Sequence, residues 1–281
     1  MNPSTPQPSA GKLNPSTPST PSTPSTPSTP STPKISIITV SFNSAQTIGD
    51  TLRSVAAQSY PNIEHIIVNG ASTDQTMQIV AGFPHVTKCI SEKDEGIYFA
   101  MNKGIAMASG DVIGILNADD LYADYGVIAK VAAVFEDPAV DATYADLVFV
   151  DREDVSKVVR TWKSGPFKRS SMYNGWMPPH PTFFVRRSLY EKYGLFNTKL
   201  RSAADYELML RFLLKHEINL SYIPQTIINM RQGGKSTASI SNRIKANVED
   251  RKAWRINGLK PHFFTLILKP LRKIKQFISH G

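Results

Sequence analysis

The chain of 281 residues contains a single cysteine, Cys89, so no internal disulfide staples it and the sequence suits a reducing compartment. Long apolar runs are also missing. No window approaches the roughly 18 apolar residues that a spanning helix needs. The opening "MNPSTPQPSAGKLN" lacks both the basic and the apolar region of a secretion signal, and the expected location is cytoplasmic. Neither G-x-x-x-x-G-K-[ST] nor a G-x-G-x-x-G after the first strand is present, so the common glycine-rich phosphate cradles are excluded. No recognition motif accompanies the positive charge, which argues against a nucleic-acid partner.

What is present begins with low complexity. From Pro15 the sequence repeats the triplet Pro-Ser-Thr, and residues 1–33 hold too little apolar surface to bury; a disordered tail of polyproline II character is expected there. From Lys34 the pattern changes. "KISIITVSF", "IEHIIVNG", "HVTKCISE" and "DVIGIL" read as buried strands, separated by "TIGDTLRSVAAQS", "TDQTMQIVAGF" and "IYFAMNKGIAMA", whose apolar residues recur at helical spacing. Strands alternating with helices of this length predict an α/β fold, a Rossmann-like, mostly parallel sheet with helices on both faces. The second half is less regular. "DATYADLVFVD" and "KVVRTWK" suggest a hairpin, "PHPTFFVRRSLYEKYG" a strand running into a helix, "SAADYELMLRFLLKH" an amphipathic helix capped by Ser202, and "INLSYIPQTIINMR" a return to the sheet. The organisation expected is a tail over 1–33, an α/β domain over 34–238 and a basic helical segment over 239–281.

Ligands of such sheets bind beyond the carboxyl ends of the strands. Thr39, Ser41 and Asn43 end the first strand, Asn69, Ser72 and Asp74 the second, Glu92, Asp94 and Glu95 the third, and Asn117, Asp119 and Asp120 the fourth. In "DVIGILNADD" adjacent carboxylates follow a core strand, where they lose hydration and repel one another unless a cation compensates them. Without a glycine-rich cradle, a diphosphate needs another counter-charge. Asp119, with Asp120 and Asn117 beside it, offers the oxygen ligands that a hard divalent ion prefers.

The net charge of +9 is concentrated toward the C-terminus, where Lys269, Arg272, Lys273 and Lys275 follow the apolar block "FFTLIL". Basic residues beside Phe263, Phe264, Leu266 and Ile267 are what an interfacial anchor on an anionic leaflet uses. The plainer alternative is a helix packed back on its own domain.

Five stretches, "IITVSFN", "IIVNGASTDQT", "SEKDEGIYFAMNKGIAMASGDVIGILNADD", "PHPTFFVRRSLYEKYGLFN" and "AADYELMLRF", together resemble the family-2 glycosyltransferases of the GT-A fold over roughly residues 34–236, most closely bacterial members that build lipopolysaccharide, capsule or exopolysaccharide. The resemblance implies transfer of a sugar, with inversion, from a nucleoside-diphosphate sugar, UDP being the most common nucleotide, to a lipid-linked or growing glycan. It implies a base pocket at Thr39, Ser41 and Asn69, with Asn69 where the family usually has Asp. It places the metal-binding D-x-D at "NAD", with Asn117 in the first position, Asp119 as the principal ligand and Mg²⁺ or Mn²⁺ as the ion. Asp94 and Asn102 fall in the segment that completes the donor pocket, and Asp205 takes the role of catalytic base.

Other residues remain open between two roles. Trp176 either stacks on a sugar or fills a loop base, and His180 either lines the acceptor cleft or is structural. Arg231 and Lys235 flank "QGG", a segment able to close over a diphosphate or to form a solvated turn. Glu207, Lys93 and Arg53 are expected on solvated faces. Two rival functions are a sugar nucleotidyltransferase, disfavoured because "TVSFNSAQT" has no glycine-rich loop, and a non-catalytic binding module, suggested only by Asn69 and Asn117 standing in place of acids.

Overall fold

Strand β1 (Ile35–Ser41) is buried along its whole length, as a near-continuous apolar run predicts for a strand covered on both faces. It pairs in parallel with β2 (Ile63–Asn69) on one side and β4 (Val112–Ile115) on the other, and β3 (Val86–Ser91) continues the parallel set beyond β2. The computed structural model describes residues 1, 32–233 and 240–269, the side chains of 240–246 excepted. Helices α1 (Ile48–Ala56), α2 (Thr76–Ala81) and α3 (Ile97–Met107) connect these strands. Ile48, Leu52 and Val55 of α1 lie buried one turn apart, so its apolar stripe faces the sheet.

Past β4 the sheet becomes mixed. The short β8 (Phe184–Arg186) lies antiparallel between β4 and β6 (Ala142–Val150), and β6 runs parallel to the long β9 (Leu220–Arg231). Beyond β9 lies β5 (Asp120–Tyr122), and β7 (Val158–Trp162) forms the expected hairpin with the free end of β6. A side chain at Gly114 would bring its Cβ within 2.3 Å of the Phe184 ring. Glycine at that point lets β8 lay an aromatic directly across β4.

Three features differ from the pattern reading. Asp120 does not trail off the end of β4 but opens β5, and α4 (Val127–Val134) follows, burying Val127, Ile128, Val131 and Ala132 in a stretch that the sequence reading assigned no element. The helix expected over "SAADYELMLRFLLKH" divides into α7 (Ala204–Leu210) and a wider turn over Arg211–Lys215, where the His216 N–H bonds the Arg211 carbonyl at 3.0 Å. Ser202 does not cap α7. Its hydroxyl and backbone N–H both bond Glu249 Oε2, at 2.8 and 2.7 Å, so a carboxylate from the last long helix sits at the positive end of α7.

That last helix, α8 (Ile240–Ile256), shares the main core. Ala253 and Trp254 are fully buried, and the Trp254 indole donates to the Tyr206 hydroxyl at 2.9 Å. Among the described residues no helix is long and apolar enough to cross a membrane. Cys89 is exposed on β3. The described part of the tail, residue 1 with 32 and 33, forms no helix or strand, and residues 2–31 lie outside the described residues.

Candidate functional site

Register places the candidate residues at one end of the sheet. Strands β1 to β4 run parallel, so the loops after Ser41, Asn69, Ser91 and Ile115 open on the same rim. In the antiparallel pairing of β8 with β4, Ile113 faces Val185; the chain preceding Phe184, His180 included, therefore lies past the carboxyl end of β4. Asp120 faces Met230 across β5 and β9, which sets Arg231 beside Asp119. Asp205 joins the rim through Tyr98, in the first turn of α3, whose hydroxyl donates to Asp205 Oδ1 at 3.2 Å.

On the β1 and β2 side the polar groups close on one another. Asn69 is fully buried; its Oδ1 accepts from Ser41 Oγ at 3.2 Å and Ser72 Oγ at 2.5 Å, and its Nδ2 donates to Ser91 Oγ at 2.7 Å. The carbonyl oxygen expected to meet a nucleobase is thus already engaged, because Asn, unlike Asp, brings its own donor to this cluster. Thr39 sits below the rim rather than on it, fully buried and 3.0 Å from His65 Nε2, with His65 Nδ1 in turn 3.0 Å from His85. Asn43, Ser72 and Asp74 stitch the two loops together: Asn43 N–H donates to Ser72 Oγ at 2.8 Å, Thr73 N–H to Asn43 Oδ1 at 2.9 Å, and Ala45 N–H to Asp74 at 3.0 Å. Phe42, which the sequence reading passed over, is 53% exposed beside Gly70.

The third loop contributes Asp94, ion-paired with Lys103 at 2.5 Å; its Oδ2 is buried without a hydrogen-bond partner and faces Gly70. Asn102 turns away from the rim. Both ends of its amide bond Phe196, Nδ2 to the carbonyl and Oδ1 from the N–H, each at 2.9 Å, which fastens α3 to the segment after α6 (Arg187–Tyr193).

The acid corner is the opposite of the Asn69 cluster. Asn117 Nδ2 donates to Asp120 Oδ2 at 3.0 Å, but Asn117 Oδ1 and Asp120 Oδ1 are both buried without partners. Burial and the charge of Asp119 push the Asp120 carboxyl up to about 8, and burial raises Asp119 too. Arg231, 6% exposed, is ion-paired with Asp50 of α1 and reaches the Asp119 carbonyl at 3.5 Å, while its Nε has no partner. Unpartnered acceptor oxygens beside a half-buried carboxylate fit a divalent ion that takes its remaining ligands from diphosphate or water. Among the described residues no group of three or more His, Cys, Asp and Glu is placed to hold a metal, so this donor set includes the Asn117 amide oxygen. Lys235 lies outside the described residues.

A second corner of the rim holds Asp205 and His180. Burial lowers the basicity of His180, the nearby Asp205 charge opposes this, and neither ring nitrogen has a hydrogen-bond partner. The Tyr98 hydroxyl is held protonated by its burial and by the Asp205 charge. Trp176 fills the loop base: its indole donates to the Ser164 carbonyl at 2.9 Å and its ring packs against Tyr144 and Phe167, which removes it from the surface. Glu207, expected on a solvated face, is 2% exposed and ion-paired with Arg211 at 2.8 Å. Arg211 also holds the carbonyls of Tyr193, Gly194 and Leu195. The buried position of Glu207 follows from the residue after α8, Asn257, whose side-chain amide donates to Glu207 Oε1 at 3.1 Å and covers the face that a lone amphipathic helix would leave wet. Arg53 is exposed and paired with Asp50, and Lys93 is exposed, as expected.

The pattern of the family described as Glycosyl transferase family 2 matches residues 36–194. An uncharacterised glycosyltransferase of Mycobacterium tuberculosis is 33% identical over 183 residues, which span 64% of this chain and 69% of that protein. A PGL/p-HBAD biosynthesis glycosyltransferase of Mycobacterium bovis is 27% identical over 221 residues, 74% of this chain and 79% of the relative. Among solved structures, residues 1–349 of S. aureus TarS superpose with a TM-score of 0.63 at 18% identity, covering 88% of this chain and 74% of that one. A mannosyltransferase from Pyrobaculum calidifontis, in complex with GDP-Man and Mn²⁺, gives a TM-score of 0.61 at 19% identity, covering 85% and 70%. These likenesses agree with the GT-A type, Rossmann-like sheet described above.

Proposed function

The chain belongs to glycosyl transferase family 2, and we propose that it transfers a sugar, with inversion, from a nucleoside-diphosphate sugar, probed first as a UDP-sugar, to a hydroxyl of a lipid-linked or growing glycan. The work is that of bacterial surface polysaccharide or glycolipid synthesis, carried out at the cytoplasmic face of an anionic membrane. The observation that carries this reading is the pairing of two unlike corners on one rim: buried acceptor oxygens without partners at Asn117 and Asp120, beside the half-buried Asp119, and a carboxylate, Asp205, beside an unpartnered imidazole, His180.

On this reading Asn117, Asp119 and Asp120 hold Mg²⁺ or Mn²⁺, which when bound neutralises charge on the departing diphosphate. Arg231 adds a fixed positive charge beside it, with Lys235, four residues further along the sequence, a further candidate. Phe42 and the closed Ser41–Asn69–Ser72 cluster form the wall against which the base rests, and the buried Asp94 oxygen faces the same side. Asp205 accepts the proton of the attacking hydroxyl, and Tyr98 orients the carboxylate by donating to one of its oxygens, leaving the other for the acceptor. Inversion requires attack from the side opposite the leaving group, and this reading gives the base and the diphosphate corner to separate loops so that the acceptor and the leaving group are handled apart. Residues 34–238 form the catalytic part of this reading and 239–281 the segment that addresses the membrane.

The deciding experiment follows nucleoside diphosphate released from a panel of donor sugars, with membrane extract as acceptor, in the presence and absence of Mg²⁺ or Mn²⁺. Release that needs both acceptor and ion is expected. Pyrophosphate released from a nucleoside triphosphate instead would give the function to a nucleotidyltransferase, and tight donor binding without release in any acceptor screen would give it to a binding module.

A further inference from the structure

The segment after α8 carries its apolar groups on the outside. Phe263, Phe264 and Ile267 are 85, 60 and 50% exposed, and the two phenyl rings meet edge to face at 5.0 Å. Positions 263, 264 and 267 fall three and four residues apart, so they share one face of the short turn they belong to. The opposite face is fixed to the protein. Thr265 is fully buried and its hydroxyl bonds the Tyr173 carbonyl at 2.5 Å, Leu266 is 6% exposed, and Lys269 pairs with Asp250 at 2.8 Å while lying 3.5 Å over the Tyr206 ring. A side chain at Gly175 would bring its Cβ within 2.5 Å of the Lys269 backbone, so the glycine allows the segment to seat. Exposed aromatics on a firmly anchored turn differ from the scattered surface apolar residues of an ordinary protein.

The surrounding charge is one-sided. Eight of the 32 Lys and Arg residues follow Asp250 and no Asp or Glu does, which leaves 24 basic against 23 acidic residues in the rest of the chain. Of those eight, Arg251, Lys252, Arg255 and Lys260 are exposed. We propose that Phe263, Phe264 and Ile267 form a wedge that enters the headgroup region of an anionic lipid surface, with the flanking basic residues holding the lipid charge. Aromatic and aliphatic side chains contribute buried apolar area while lysines and arginines supply the attraction, and neither alone gives stable association. The wedge also connects to the site. Tyr173, the last residue of α5 (Arg169–Tyr173), packs at a tilt against both Trp254 and His262 and leads on to Trp176 and His180, and Tyr206, under Lys269, adjoins Asp205. Seating the wedge therefore sets the acceptor side of the rim at the lipid surface, where a lipid-linked hydroxyl arrives. This choice of occupant rests on the proposed transferase function.

The test is co-sedimentation of the full chain with vesicles of phosphatidylglycerol and phosphatidylcholine, or of phosphatidylcholine alone. The wild type, the triple variant Phe263→Ser, Phe264→Ser, Ile267→Ser, and Asp205→Asn are compared, with thermal melts to verify folding. Wild type and Asp205→Asn are expected to sediment with the anionic vesicles alike, and the triple variant, with an unchanged melt, at least tenfold less. Equal sedimentation of wild type and triple variant would place the contact on the basic residues alone and overturn the wedge. So would a wild type that is dimeric in solution and a triple variant that is monomeric, since a second copy would then cover the face. Vesicle binding without any sugar transfer defeats the proposed function and leaves the wedge standing; transfer without vesicle binding does the reverse.

Discussion

The two corners of the rim treat buried polar atoms in opposite ways. Around Asn69 every side-chain donor and acceptor finds a partner within the protein, Ser41, Ser72 and Ser91 saturating the amide. Around Asn117 and Asp120, and again at His180, acceptor and ring-nitrogen atoms are buried and left open. A buried polar atom without a partner costs roughly 1–3 kcal/mol, so a chain that keeps four such atoms on one rim while closing another cluster nearby reserves them for something that binds. The closed cluster is architecture, and the open corners are where chemistry is expected.

The contrast breaks most visibly at Asp119. Replacing it by Asn is expected to lower transfer by about two orders of magnitude or more and to raise the ion concentration needed for half-maximal rate, since the divalent ion that this carboxylate would hold contributes several kcal/mol to the transition state by neutralising the diphosphate. The melting temperature should stay or rise, because the charge removed is half-buried. A rate that falls without any change in ion requirement would detach Asp119 from the metal.

Next is Asn69→Ala, expected to destabilise folding by about 1–3 kcal/mol, because three hydroxyl groups lose their shared partner in a dry site. Donor KM should move much less than for Asp119. A denaturant midpoint equal to wild type would show that the closed cluster is not structural.

His180→Asn comes third. The smaller amide loses the ring's reach toward the cleft, and acceptor KM or turnover is expected to worsen about tenfold, the worth of one hydrogen bond to substrate, with little change in stability. A large stability loss with normal kinetics would return His180 to a structural role.

The smallest effect concerns acid. Burial lowers His65 from 6.5 to about 3, and hydrogen bonds from Ser109, Ser36 and Lys88 outweigh burial to lower Glu64 from 4.5 to about 2. In both cases the unfolded chain binds protons that the folded one refuses, so the stability is complete above about pH 6.5. It is lost as pH falls, first through the His65 window and then through that of Glu64, with a slope of at most about 1.4 kcal/mol per pH unit for each group. Urea midpoints from pH 8 to 4 should be flat and then decline; His65→Gln should flatten the upper part of that decline.

Much of this was legible in the sequence where local pattern and burial agree. The run in β1 and the spacing of Ile48, Leu52 and Val55 specify a buried parallel strand and its crossover helix without outside help, and the β6–β7 hairpin was visible from its alternating segments. The three-residue β5 was not, because its pairing with β9 joins positions 110 residues apart and leaves no periodicity to read. Rim membership could be read from the carboxyl ends of the strands. Side-chain direction could not: Thr39 and Asn102 occupy expected positions, yet one bonds His65 and the other Phe196. Glu207 was misplaced because the helix covering it arrives from far along the chain. Tyr98 carried no signal apart from its motif, since a buried hydroxyl over a carboxylate needs coordinates to be seen.

The central claim is that Asp205 takes the acceptor proton while the acid corner holds the leaving group. Its most direct test compares Asp205→Asn with wild type in two assays on the same preparation, calorimetric binding of UDP with Mn²⁺ and release of UDP from the donor in the presence of acceptor. Unchanged binding with release reduced about 10²- to 10⁴-fold is the predicted result. Full release by the variant would contradict the account.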